Sequence, residues 1–305
     1  MELIRPGTHI DFVGKKKYTV WISAIALLIS LGSVFLFGGL KYGVDFSGGI
    51  LIQVKFSKPV DISEVRSAMD AMGSKEAMVQ AFGKENEYII RLEKASEDLE
   101  ALSRKIQDSL QEQFKGKSVE IRRVEVVGPK VGRDLKGKAL WAVGLSFVAI
   151  LIYVAWRFKQ VSYGLGGIVA LIHDVIVTYG AISIVGIEYS LNVMAVILTI
   201  IGFSINDTIV IFDRVREDVK KFRKEDLETI FNTAINETLG RTVLTTGTVM
   251  MVVLILFFFG GAVIHDFAFA LIVGLVTGTY STVYVASPVV LFWEKYISKG
   301  KGGRR

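Results

Sequence analysis

Asp207 stands where a carboxylate is expensive. It lies in "GFSINDTIVIFDRVRE" (202–217), directly after the almost wholly apolar "SLNVMAVILTII". An acid at the centre of a bilayer helix costs roughly 2.5–3.5 kcal/mol on insertion scales, so such a group is expected to serve a function. Asn206, Ser204 and Thr208 surround it. His173 and Asp174 occupy the middle of a second apolar run, "GIVALIHDVIVTYG", and Arg241 opens a third, "LGRTVLTTGTVMM". Asp207 is six positions from Asp213, which on a helix places it roughly 9 Å inside that end. A long Arg side chain from a neighbouring helix spans such a depth. Burial and a nearby guanidinium pull on a carboxyl's proton in opposite directions. An acid balanced between them can take up and lose a proton, and protonation would release the arginine. The residues therefore predict a proton relay at Asp207 and Arg241, with Asn206, His173 and Asp174 as secondary candidates. The competing reading is a fixed polar clamp between helices. Adjacent helix positions point about 100° apart, so His173 and Asp174 need not face one path. Asp213, Arg214 and Arg216 are expected to be interfacial anchors.

The elements that must position these groups are apolar helices. Of 305 residues, 51% are hydrophobic, and the mean hydropathy of +0.46 exceeds that of ordinary soluble chains. Six stretches are long enough to cross a bilayer as helices, at roughly 18–38, 138–157, 162–186, 190–212, 243–262 and 266–292. The first is longer than an ordinary signal-peptide core, so an uncleaved signal anchor is expected. The formal net charge is +6. The basic residues flank the apolar runs, which fits membrane topology rather than a nucleic-acid face. "KKK" at 15–17, Arg157 and Lys159, the run from Arg214 to Lys224, and "KYISKGKGGRR" all fall on one side. "GIEYS" and "GGAVIHD", on the other side, contain no Lys or Arg. Both termini are therefore expected in the cytoplasm. There is no cysteine, which excludes disulfides and thiolate chemistry.

This predicts four regions. Residues 1–38 are a cytoplasmic tail and the first transmembrane helix, and 39–137 an extracytoplasmic α+β domain. Residues 138–295 hold helices two to six, with a cytoplasmic amphipathic helix near 217–240, and 296–305 are a basic cytoplasmic tail. In the outer domain "GGILIQVKF" alternates like a strand. "DISEVRSAMDAMG" has a cap candidate in Asp61 or Ser63 and a closing Gly73. Two strands follow, with Gly83 and Asn86 in the turn between them. A helix ending at Gly116 and a last strand complete a βαββαβ, ferredoxin-like order. In the cytoplasmic loop Leu227, Ile230, Phe231, Ala234 and Ile235 recur at helical spacing. A helix lying on the membrane face is expected; packing against the ends of the bundle is the other reading.

Other motifs carry less. "GRDLKGKA" (132–139) approaches a phosphate-binding loop, but Ala139 stands where a magnesium-holding Ser or Thr is needed. No ATP site is expected there, only a flexible lead into the second span. None of the three His residues has a partner at metal-ligand helical spacing, and no nucleophile–base pair stands out, so no enzyme, cofactor or metal is predicted. "GLGG" at 164–167 and Gly274-x-x-x-Gly278, followed by Ser281, Thr282 and Ser287, predict close helix contacts.

"IDFVGKKK", "YGVDFSGG", "HDVIVT", "IGFSINDTIVIFDRVRE" and "RTVLTTGT" together resemble the SecF family. The likeness covers almost the whole chain: six spans, one outward domain and the loop helix. It implies a membrane subunit of bacterial protein export that pairs with SecD in a twelve-span assembly of the resistance–nodulation–division type. It implies work with the SecY–SecE–SecG channel in the inner membrane, after the SecA motor has pushed an unfolded preprotein through. The proton gradient would drive release on the outer side, with no nucleic acid or bound cofactor involved. The family's required Asp and Arg fall on Asp207 and Arg241. A further membrane Asp is supplied by SecD, and the outward domain is expected to move as the pathway titrates. Two other functions fit the bundle: a half-size proton-coupled exporter of small molecules or lipids, and a non-conducting scaffold.

Overall fold

A computed structural model describes residues 9–36, 41–74, 77–82, 86–92, 99–158, 160–222 and 224–298. Gly83, Lys159, Arg223, the first eight residues and the basic tail beyond 298 lie outside the described residues. The chain divides into two compact units. One holds residues 42–140 with 189–191, and the other holds the rest.

The smaller unit follows from alternation. Strand β1 (Gly49–Phe56) buries Ile50, Ile52, Val54 and Phe56 completely. It pairs antiparallel with β3 (Glu87–Leu92) on one side, Ile52 opposite Ile90. On the other side it pairs with β4 (Val119–Val127), Ile52 opposite Val124. Strand β2 (Met78–Ala81) completes the sheet beside β3, in the order β2-β3-β1-β4. With helix α3 (Ile62–Ala71) after β1 and α4 (Leu99–Gln113) after β3, this is the βαββαβ, ferredoxin-like arrangement. Val65, Ala68 and Met69 of α3 and Ile106 and Leu110 of α4 cover the buried face. Asp61 caps α3, accepting from the Ser63 N–H at 2.8 Å. A hydrogen bond from the Ser63 hydroxyl, and then this one from its N–H, hold the Asp61 carboxyl below its usual range.

A one-turn helix α2 (Val44–Ser47) precedes the sheet. The chain then turns through Gly48 at φ 76° and Gly49 at φ 119°, angles that a Cβ opposes. Gly132 packs beneath this turn. A Cβ there would lie 3.0 Å from the Gly48 nitrogen and the Phe46 carbonyl. The glycine that resembled part of a phosphate loop thus serves a close backbone approach. Nor is 132–139 a flexible lead. Helix α5 (Pro129–Phe158) already includes it, with a proline at the first position where none of its missing donors is needed.

Among the described residues, six helices are long and apolar enough to cross a bilayer. They are α1 (Lys16–Leu36), α5, α6 (Val161–Val185), α7 (Leu191–Lys221), α8 (Leu227–Phe259) and α9 (Gly261–Ser281). The last continues through a π-helical turn (Thr282–Ala286) into α10 (Ser287–Trp293) and a second π-helical turn (Glu294–Ser298). Helix α6 stops at Gly186, left-handed at φ 79°, whose N–H closes onto Ile182 and Ser183.

The separate amphipathic helix expected near 217–240 is not what forms. Helix α7 runs to Lys221, and α8 begins at Leu227 and continues unbroken through Gly240 into the fifth span. Asp226 caps its start, its carboxylate accepting from the Thr229 N–H at 3.2 Å. The apolar face was read correctly, and of the two partners left open, membrane surface or bundle, it meets the bundle. Ile230, Phe231, Ala234 and Ile235 are buried in one core with Ile211, Phe212 and Val215. Phe212 meets Tyr163 at 4.9 Å and Phe231 at 6.4 Å, both edge to face. The face that seemed suited to lipid packs on the bundle.

The N-terminal "IDFV" is held along the same helix. Asn232 Oδ1 accepts from the N–H groups of Phe12 (2.8 Å) and Val13 (3.2 Å). Asn236 Oδ1 accepts from the Ile10 N–H at 2.8 Å, and both amides donate back to the Ile10 carbonyl.

Candidate functional site

Glycines bring the polar residues of the bundle together. A Cβ on Gly274 would overlap the Ile200 side chain, and one on Gly278 would lie 3.1 Å from Ser204 Cβ. Helix α9 therefore sits directly on α7, as the Gly-x-x-x-Gly spacing predicts. On α6, Gly166 faces Val290 and the Ala286 carbonyl, and Gly167 faces Ile205.

Asp174 lies at this junction and is wholly buried. Its Oδ2 accepts hydrogen bonds from Ser204 Oγ of α7 and Ser281 Oγ of α9, both at 2.7 Å. Its Oδ1 lies 3.1 Å from Nδ1 of His173. The polar stripe continues from there. The Thr208 and Thr282 hydroxyls meet at 3.0 Å, and Thr208 also donates to the Ser204 carbonyl at 3.2 Å. The His173 ring stacks on Tyr280, and the Tyr280 hydroxyl donates to the Thr19 carbonyl of α1 at 2.9 Å. One acid thus ties α6, α7 and α9 directly, with α1 joined through two rings. His173 and Asp174, adjacent on the helix, do share one site.

Asp207 is placed differently. It is 3% exposed, and its Oδ2 is buried with no hydrogen-bond partner. Arg241 of α8 lies within electrostatic reach, yet no ion-pair contact joins the two. Thr242, next to Arg241, also buries a hydroxyl without a partner. Asn206 is exposed and is not gathered with Asp207. The two acids therefore differ in kind: both oxygens of Asp174 are met by protein groups, and Asp207 Oδ2 is buried without a hydrogen-bond partner.

The charges beyond Asp207 are tied to protein groups. Arg157 and Asp213 pair at 2.7 Å, joining α5 to α7. Arg216 donates to the Arg157 carbonyl at 3.2 Å. Arg214 pairs with Glu237 of α8 and reaches Glu217 at 3.2 Å and Asp218 at 3.4 Å. Ser281 had counted only as a small packing residue. Its recurrence seven positions after Gly274, on the same helical face, was the available signal.

The family model for the protein export membrane protein SecD/SecF, C-terminal, matches residues 105–296. The SecD/SecF GG motif matches 34–60, which contain the Gly48–Gly49 turn. The chain belongs to the SecD/SecF protein-export family. A protein translocase subunit SecF of Magnetococcus marinus is 43% identical over 297 residues, covering 96% of this chain and 95% of its own. That of Pseudomonas aeruginosa is 39% identical over 296 residues, covering 97% and 94%. The crystal structure of SecDF from Thermus thermophilus, a translocon-associated membrane protein, matches at a TM-score of 0.85 and 34% identity. It covers 95% of this chain and 39% of the SecDF chain. SecDF in its super-membrane-facing form matches at 0.71, with 34% identity, over 100% and 41%. This SecD/SecF-family chain is thus a multi-pass bacterial membrane protein with an accessory role in Sec export.

Proposed function

We propose that the chain associates with a SecD-type subunit and uses the proton gradient to complete preprotein translocation through a SecY–SecE–SecG channel, downstream of SecA. The observation that carries this reading is Asp207: a buried carboxyl whose Oδ2 has no hydrogen-bond partner, with the Arg241 charge in reach but not in contact. A clamp would satisfy both oxygens, as Asp174 is satisfied. A buried acid with an unpartnered oxygen is the one positioned to exchange a proton. Proton uptake would release Arg241, and with it α8. Asp174 and His173 form the fixed framework beside this pair. The full-length likeness to translocase subunits supports secretion over a small-molecule exporter.

The chain of Lys and Arg residues supports a topology with both termini in the cytoplasm and the α+β unit outside. Energy enters as protons, so the reading needs neither nucleotide nor metal and assigns no catalytic residue. Inverted vesicles holding the SecD–SecF pair and the channel test it. Asp207→Asn is expected to abolish gradient-stimulated preprotein release while leaving SecA-driven entry intact. Release at the wild-type level would remove Asp207 from the relay.

A further inference from the structure

A groove of about 750 Å³ lies between α1 and α10, within the size range of sites that enclose a small ligand. Its two walls run in opposite directions along the chain and share one design. On α1 the wall begins at Lys16 and Lys17 and proceeds through Val20, Trp21 and Ala24 to Leu27. On the other side it begins at Val285, passes Pro288, Val289 and Phe292, and ends at Lys295 and Tyr296. Each wall is mainly apolar, with Ser23 on α1 tied to the Tyr280 hydroxyl, and both carry lysine at the same end.

The depth is informative. Leu27 is ten positions from Lys17, and Val285 ten from Lys295. Ten helical residues rise about 15 Å, half of the roughly 30 Å hydrocarbon core. The groove is one leaflet deep. Its charges are three lysines and one carboxylate, Glu228, and that carboxylate is already engaged by Lys16 at 2.5 Å. Lys17 and Lys295 are exposed, and among the described residues no carboxylate pairs with either. Tyr296 and Trp21 stand near the lysine end, residue types that settle at a bilayer interface.

We infer that this groove is a binding site for one anionic phospholipid, with an acyl chain along Ala24, Leu27 and Val289 and the phosphate between Lys17 and Lys295. Pairing of lysine with an apolar slot at a helix–helix seam is the chemistry that selects such a headgroup. A transmembrane helix of a partner would fill the slot equally well with apolar groups. It would leave both ammonium groups without a counter-charge, and the phosphodiester supplies one.

The test uses the full chain with its SecD-type partner in phosphatidylcholine vesicles doped with phosphatidylglycerol carrying a photoactivatable acyl chain. Crosslinks are expected on peptides from Trp21–Leu27 and Val289–Phe292. Each lysine contributes roughly a fivefold preference for the anionic headgroup, so Lys17→Gln with Lys295→Gln should lower labelling about twenty-fivefold. Both side chains are exposed, so the pair leaves the fold intact. Ala24→Trp, which fills the slot, should abolish labelling with the lysines in place. Equal labelling by photoactivatable phosphatidylcholine would overturn the inference. So would crosslinking of an Ala24→Cys variant to the partner subunit in the assembled complex.

Discussion

At the scale of single residues, Asp174 and Asp207 show how one side chain serves two purposes in one bundle. Oδ2 of Asp174 serves both Ser204 and Ser281. Interhelical hydrogen bonds inside membranes average about 0.6 kcal/mol and reach about 1.7. Ser204→Ala and Ser281→Ala are each expected to destabilise the chain within that range. Because one oxygen serves both donors, each single variant leaves it one hydrogen bond and the double variant leaves it none, so the double should lose more than the sum of the singles. A double-mutant cycle on chemical unfolding in bicelles measures this, and strict additivity would contradict the shared acceptor. The acids themselves were evident in the sequence as charges in apolar runs. Their division of labour was not. It depends on a carboxyl folding back onto the preceding His173 and on two serines arriving from helices 30 and 107 positions away. Nothing in local periodicity encodes a distance of that kind.

At the scale of elements, small residues decide which helices touch. A Cβ on Gly180 would overlap the Cα, Cβ and Oγ of Ser30, so α1 and α6 are in backbone contact there. Gly180→Ala must push the helices apart and is expected to cost about 1–3 kcal/mol. Gly202→Ala, with open space around it, should be neutral or slightly stabilising. Thermal unfolding in detergent compares the two. Asp226 governs the start of α8. A hydrogen bond from the Thr229 hydroxyl, then one from its N–H, holds the Asp226 carboxyl below the usual range. Its contribution is therefore complete above the unfolded carboxylate value of about 3.9. It is lost as pH falls through the folded value. Asp226→Ala should lower stability by about 1 kcal/mol at neutral pH. The unfolding midpoints of variant and wild type should converge in acid; a constant gap would contradict the cap. Periodicity found the face of 227–235, but the helix expected there ended near 240, where Gly240 stands. A single glycine costs about 1 kcal/mol in a helix interior, too little to interrupt a helix whose face packs on Phe212 and Val215.

At the scale of the whole molecule, the absence of cysteine makes topology measurable. A single cysteine at exposed Asp70 should react with a membrane-impermeant maleimide from the periplasmic side. One at exposed Glu225 should react only after the inner membrane is opened. The reverse pattern would invert the proposed orientation. Helix α8 has 33 residues, about 50 Å at the usual rise, against a hydrocarbon core of about 30 Å. It is one rod carrying Arg241 within it and Asn232 and Asn236 a few turns earlier. A rod without a hinge cannot rotate at one point and rest at another. Any turn that carries the guanidinium toward or away from Asp207 is therefore geared to the peptide groups of Ile10, Phe12 and Val13, which the two asparagines grip. The segment Ile10–Val13 is, in effect, a pointer fixed to the shaft, and on the proposed relay its position would follow the charge state of a site it never touches.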